Sequence, residues 1–172
     1  KDDVIAIQIV FTEPVDVTGT PLLTLETGST DAVVDYVSGT ATSTLTFAYT
    51  VAAGHSSPDL DQISIAALAL NGGTIKDLAG NSAVLTLANP GAAHSLGANK
   101  TIVIDTLSPT VTLTSTQTSP TNAATITVRA TFSEPVTGFG IDDVTVSNGT
   151  ADAGSLSALS STVFTFTITP TA

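Results

Sequence analysis

Hydrophobic residues fall at every second position along much of this chain. In "VIAIQIVF" (residues 4–11), Ile5, Ile7, Ile9 and Phe11 share one face, and in "TITVRATF" (125–132) Ile126, Val128, Ala130 and Phe132 do the same. A period of two predicts half-buried β-strand rather than helix. The same pattern predicts strands at "PLLTLE" (21–26), "AVVDYV" (32–37), "TLTFAYTV" (44–51), "ISIAALAL" (63–70), "AVLTLA" (83–88) and "KTIVID" (100–105). It continues with "TVTLTS" (110–115), "ATITVRATF" (124–132), "DVTVSN" (143–148) and "STVFTFTIT" (161–169). Turn clusters such as "TGST", "VSGT" and "NGG" separate them. The Ala- and Leu-rich "IAALALNGG" could also hold a helical turn.

The pattern repeats. "FTEPV" at 11–15 returns as "FSEPV" at 132–136, an offset of 121 residues that also relates Ile5, Ile7, Ile9 and Phe11 to Ile126, Val128, Ala130 and Phe132. Alternation in register through a strand and into the following phrase marks a duplicated unit. Proline lacks a ladder donor, so the phrase is expected to end the strand and turn the chain. Short strands with Gly, Pro and Asp turns predict an all-β fold of tandem immunoglobulin-like (Ig-like) antiparallel sandwiches. The expected units are 1–105 and 106–172, with a boundary at "IDTLSPT" (104–110). The first has nothing before its "FTEPV" strand to match "TVTLTS", so it is expected to lack an opening strand. The second stops near the point matching "AYTVAA", so it is expected to lack closing strands.

Composition narrows the function. The chain of 172 residues has 15 acids against four Lys and Arg, a formal charge of −11. Such a surface repels nucleic acid and anionic lipid and attracts divalent cations. With no Cys, neither a disulfide framework nor a thiolate metal site is available. No apolar run approaches the roughly 18 residues of a spanning helix, so direct membrane insertion is not expected.

The segments "FTEPV", "GTPLLTLETG", "YVSGTATSTLTFAYTV", "LDQISIAALALNGGTIKDLAGNSAVLTL" and "HSLGANKTIVIDT", followed by "SPTVTLTS", "FSEPVTGF" and "DDVTVSNGT", resemble bacterial Ig-like tandem repeats. The first module is similar to the repeat first noted in a cyanobacterial swimming-related surface protein, the second to the bacterial Ig-like repeat that often follows it. The resemblance implies non-enzymatic structural or adhesive spacer modules of a long extracellular or cell-surface protein. It implies neighbouring repeats or like subunits as partners, and a surface receptor or glycan as a distant ligand. A surface-layer or filament subunit completed by a neighbouring chain is the alternative.

Asp59 and Asp61 flank Leu60 in "SSPDLDQI". In an extended segment their carboxylates point the same way, roughly 7 Å apart. With Asp105 at the end of the last strand of the first module, and Asp3 (beside Asp2) at the start of its first, they form a candidate calcium pole. The placement is similar to the acidic loops between cadherin repeats; the competing reading is a solvated acidic turn. Asp77 and Asn81 around Gly80 suggest an Asx-type turn, with a partial metal site as the alternative. Glu13 and Glu134 precede Pro and are read as turn caps. His55 and His94 lie in separate loops and make a poor zinc site. "GHSSP" lacks the spacing of a nucleophile elbow. The aromatics Phe47, Tyr49, Phe164 and Phe166 fall at strand period and are read as core, so no catalytic set is expected. Asn99 and Asn148 match the glycosylation sequon.

Overall fold

A computed structural model describes residues 2–171. The chain divides into two compact units, 1–107 and 108–172.

Unit 1 contains β1 (Val4–Thr18), β2 (Leu22–Leu25), β3 (Ala32–Ser38), β4 (Thr42–Thr50), β5 (Ser56–Ser57), β6 (Leu68–Ala69), β7 (Thr74–Asp77), the single turn α1 (Leu96–Asn99) and β8 (Ile104–Asp105). Six strands pair in the order β6-β2-β3-β4-β1-β7, all antiparallel, and β5 pairs with β8. Strand β3 changes partner along its length. Ala32–Asp35 pair with β2, whereas Tyr36 and Ser38 pair with β4. The two halves bury their side chains in one core. Leu23, Leu25 and Val34 come from one half, and Ile7, Leu45, Phe47, Tyr49 and Ile75 from the other. Phe47, Tyr49 and Leu45 are fully buried; each such side chain is worth about 1.5–3 kcal/mol in area removed from water. Gly39 makes the β3–β4 turn possible. Its φ of 114° favours glycine, and a Cβ there would lie 2.0 Å from the Thr44 carbonyl oxygen.

The first copy of the repeated phrase departs from expectation. Pro14 does not end the strand. Val4–Val10 pair with β4, the register shifts between Val10 and Val15, and Val15–Thr18 continue as the partner of β7. Phe11–Pro14 therefore form a bulge inside one 15-residue strand, where the missing proline donor costs no ladder bond.

Unit 2 contains β9 (Val111–Ser115), β10 (Ile126–Phe132), a 3₁₀ turn (Ile141–Asp143), β11 (Gly149–Ala151), β12 (Ser157–Ala158) and β13 (Val163–Pro170). They form one antiparallel sheet, β11-β13-β10-β9, with β12 also on β13. Here the phrase does end its strand: β10 stops at Phe132, and the Val136 N–H donates to the Ser161 carbonyl. Ala130, Phe164 and Phe166 are buried, and Phe132, Phe139 and Phe164 meet edge to face at 5.1–5.8 Å.

Four expected strands differ. Segment 83–88 is alternately half-buried but carries no ladder, and 100–105 pairs only at Ile104–Asp105. Of 63–70, only Leu68–Ala69 pairs, because the Ala67 N–H closes a turn onto the Ser64 carbonyl. Segment 143–148 is not a strand; the Asp143 carboxylate accepts from the Gly140 N–H and winds the 3₁₀ turn there, so pairing begins at Gly149.

Candidate functional site

The acids expected at one pole have separate roles. Asp61 is 8% exposed. Its Oδ1 accepts the N–H of Gln62 (2.9 Å) and of Leu96 (3.0 Å), and its Oδ2 accepts that of Gly91 (2.8 Å). Burial pushes this carboxyl up, but donors at Gly91, Ser95, Gly97 and Gln62 outweigh it and hold the group below the usual carboxylate value. Gln62 completes the knot by accepting from the Leu96 N–H and donating to the Ala88 carbonyl. Segment 88–97 is thereby fastened to the 56–62 loop, and Ser95 caps α1 by accepting from the Ala98 N–H.

Asp59 is exposed and its Oδ1 accepts weakly from the Ile102 N–H at 3.4 Å. The structure does bring Asp59 and Asp61 together around Gly97, where a Cβ would lie 3.2 Å and 2.9 Å from their Oδ2 atoms. Asp105 Oδ1 instead accepts from the Leu107 N–H, and Asp3 contributes its backbone carbonyl to the Val51 N–H. Among the described residues no three acidic or histidine side chains are grouped to hold a metal ion. Asp61 could bind calcium only by giving up backbone hydrogen bonds, so the set Asp3, Asp59, Asp61 and Asp105 does not fit the ion.

Asp77 and Asn81 close the expected turn. The Asn81 N–H and side-chain amide donate to the two Asp77 oxygens, both at 2.7 Å, and these hold that carboxyl below its ordinary value. Gly80 supplies φ of 94°. His55 stacks on Tyr49, whose hydroxyl lies 2.9 Å from its Nδ1, and burial raises the Tyr49 pKa. The Ala52 N–H points at the same nitrogen, which fixes Nδ1 as acceptor and the Tyr49 hydroxyl as donor. Sequence reasoning missed this pair, since nothing in a polar loop announces its core partner. Among the described residues neither imidazole is hydrogen-bonded to a Ser or Thr hydroxyl, so no nucleophile–base pair is assembled.

A groove was also not anticipated. Of about 680 Å³, it is lined by Ala6–Val10, Leu23, Leu25, Leu87, Leu96 and Ile102, with Gln62, His94 and Lys100 among its polar residues. The Asp61 knot holds the lining residues Gln62, Ala88 and Leu96 in place. Its one sequence signal was the alternation of "AVLTLA": the segment alternates in burial like a strand yet has no partner strand among the described residues.

Residues 105–172 match the family model described as "Bacterial Ig-like domain". Neither the curated proteins nor the solved structures contain a match to the chain. The antiparallel all-β architecture and this match agree on an Ig-like β-sandwich fold class. Domains of this family are structural modules, and among the described residues no helix is long and apolar enough to cross a membrane.

Proposed function

We propose that this chain supplies non-enzymatic spacer modules to a long extracellular or cell-surface protein of adhesin type. One observation carries the reading: the same strand pair is built twice in the same register. Ile5, Ile7 and Ile9 stand opposite Tyr49, Phe47 and Leu45, as Ile126, Val128 and Ala130 stand opposite Ile168, Phe166 and Phe164. Duplication of a scaffold without a reactive constellation fits a mechanical role, in which each unit resists extension through its own sheet. Neighbouring repeats or like subunits are the partners, with a receptor or glycan as the distant ligand.

Single-molecule pulling tests this directly. Two separate unfolding events are expected, one per unit. Turnover on a glycoside or ester panel that a single Asp or Ser substitution abolishes would sink the reading. Calcium does not enter it, for the Asp61 reason above. Melting curves in millimolar calcium and in chelator are expected to superimpose, and a calcium-dependent rise lost in Asp59→Asn would restore the metal.

A further inference from the structure

Asparagine followed by glycine occurs twice in the chain, at Asn71-Gly72 and Asn148-Gly149. The pair is chemically labile in water. Glycine has no Cβ to shield its nitrogen or narrow its backbone, so that nitrogen can reach the preceding side-chain carbonyl carbon. Whether it does so depends on how firmly the asparagine is held, and the two sites differ in that respect.

Asn71 is clamped. With Gly72 it forms the centre of the Leu70–Gly73 turn, at φ of 49° and 78°, closed by the Gly73 N–H on the Leu70 carbonyl at 2.8 Å. Positive φ at both central residues is the type I′ arrangement. The Asn71 side-chain amide donates to the Thr20 carbonyl at 3.1 Å. Gly73 lies so close to β1 that a Cβ there would meet the Thr18 carbonyl oxygen. Asn148 is held by its backbone alone. Its carbonyl accepts from the Thr171 N–H at 3.2 Å, and the Asp152 N–H donates to the Thr167 carbonyl at 3.0 Å. Those bonds put Asn148, Thr150 and Asp152 on the bonded positions of the β11–β13 ladder, so the Gly149 N–H points away from β13. Strand β11 ends its sheet, and among the described residues that N–H has no ladder acceptor. Asn148 is exposed, and its side chain makes no hydrogen bond among the described residues.

We infer that Asn148-Gly149 is a self-modification site, where the chain converts asparagine to a mixture of aspartate and isoaspartate while Asn71 is spared. The Gly149 nitrogen attacks Asn148 Cγ, and the N–Cγ bond forms as the Cγ–Nδ2 bond breaks. Ammonia leaves with the Gly149 proton, and a cyclic succinimide remains. Water then opens the ring. Cleavage of the N–Cγ bond gives aspartate, and cleavage of the backbone C–N bond gives isoaspartate, whose main chain runs through Cγ. Nothing is oxidised or reduced. Each route adds a negative charge to unit 2, which already sets Glu134, Asp142, Asp143 and Asp152 against Arg129 alone. The isoaspartyl route also lengthens the main chain at the head of β11, which displaces the Asn148–Thr171 hydrogen bond. Either product removes the amide of the Asn148 sequon. The inference goes beyond the spacer reading and does not depend on it.

Trypsin separates the two sites for mass spectrometry. Cleavage at Lys76, Lys100 and Arg129 leaves Asn71 in the peptide ending at Lys76, and Asn148 as the sole asparagine of residues 130–172. After incubation of the folded chain in warm, mildly alkaline buffer, peptide 130–172 is expected to gain a single mass unit and split into two chromatographic species. The Asn71 peptide should react on the order of 2–10 times more slowly, the factor that an added hydrogen bond supplies. In urea the two rates should converge. Asn148→Gln should abolish the gain in 130–172. The inference is overturned if Asn71 keeps pace with Asn148 in the folded chain, or if their difference persists in urea. It is equally overturned if 130–172 reacts only when the chain is unfolded. Aged chains should lose more unit 2 stability than Asn148→Asp, which carries the charge without the longer main chain. Equal stability would overturn the displacement of the Asn148–Thr171 bond.

Discussion

Unit 1 and unit 2 start from the same strand pair and reach different interiors. In unit 1 the β1–β4 pair faces β2, β3 and β6, and Phe47, Tyr49 and Leu45 lose all contact with solvent. In unit 2 the β10–β13 pair lies in the unit's single sheet, and Ala130, Phe164 and Phe166 are its buried apolar side chains among the described residues. The edges differ in the opposite sense: among the described residues β10 is flanked on both sides, β1 over residues 4–10 on one. Shared sequence thus reproduces local pairing, while burial depends on what the rest of the chain lays across that pair.

The most severe test of this contrast is a pair of matched truncations. Phe47→Ala should destabilise unit 1 by about 3–5 kcal/mol, whereas its register partner Phe166→Ala should cost unit 2 about 2 kcal/mol, because a less enclosed site relaxes around the loss. Urea titrations that resolve the two units would measure both, and equal losses would break the contrast.

Among the described residues Asp61 has no counterpart knot in unit 2, so its removal should affect unit 1 alone. Asp61→Asn should cost about 1.5–3 kcal/mol, the range for hydrogen bonds to a charged group. Because its folded pKa is depressed, its contribution is present above the unfolded value of about 3.9 and is lost as pH falls through the lower folded value. Unit 1 melting followed from pH 6 down to pH 2 should show that fall, and Asp61→Asn should flatten it.

The β3–β4 turn offers a smaller perturbation. Gly39→Ala should destabilise unit 1 by about 1–3 kcal/mol, from a positive φ with a blocked Cβ. Calorimetry with unit 2 as internal reference would show it, and an unchanged unit 1 transition would mean the turn relaxes. The smallest expected effect is at β9. Leu113→Thr should change unit 2 stability by no more than about 0.5 kcal/mol, as for an exposed side chain.

Sequence alone determined the period-two strands, the duplication at 121 residues, the Asx turn at Asp77–Asn81 and the all-β fold class. Each is legible because alternation and turn chemistry act between residues close in sequence or through one repeated phrase. Only the tertiary structure decided the fate of Pro14 and Asp61. Pro14 interrupts a ladder wherever it sits, but whether the chain stops or bulges depends on whether β7 lies beyond to receive Val15–Thr18. Asp59 and Asp61 looked alike as paired carboxylates. Burial and the N–H groups of Gly91 and Leu96, contributed from 30 and 35 residues away, made one of them a structural acceptor. The groove was invisible for the same reason. A segment such as 83–88 carries a strand's alternation whether or not a neighbour satisfies its backbone, and only assembly of the sheet shows which segments pair.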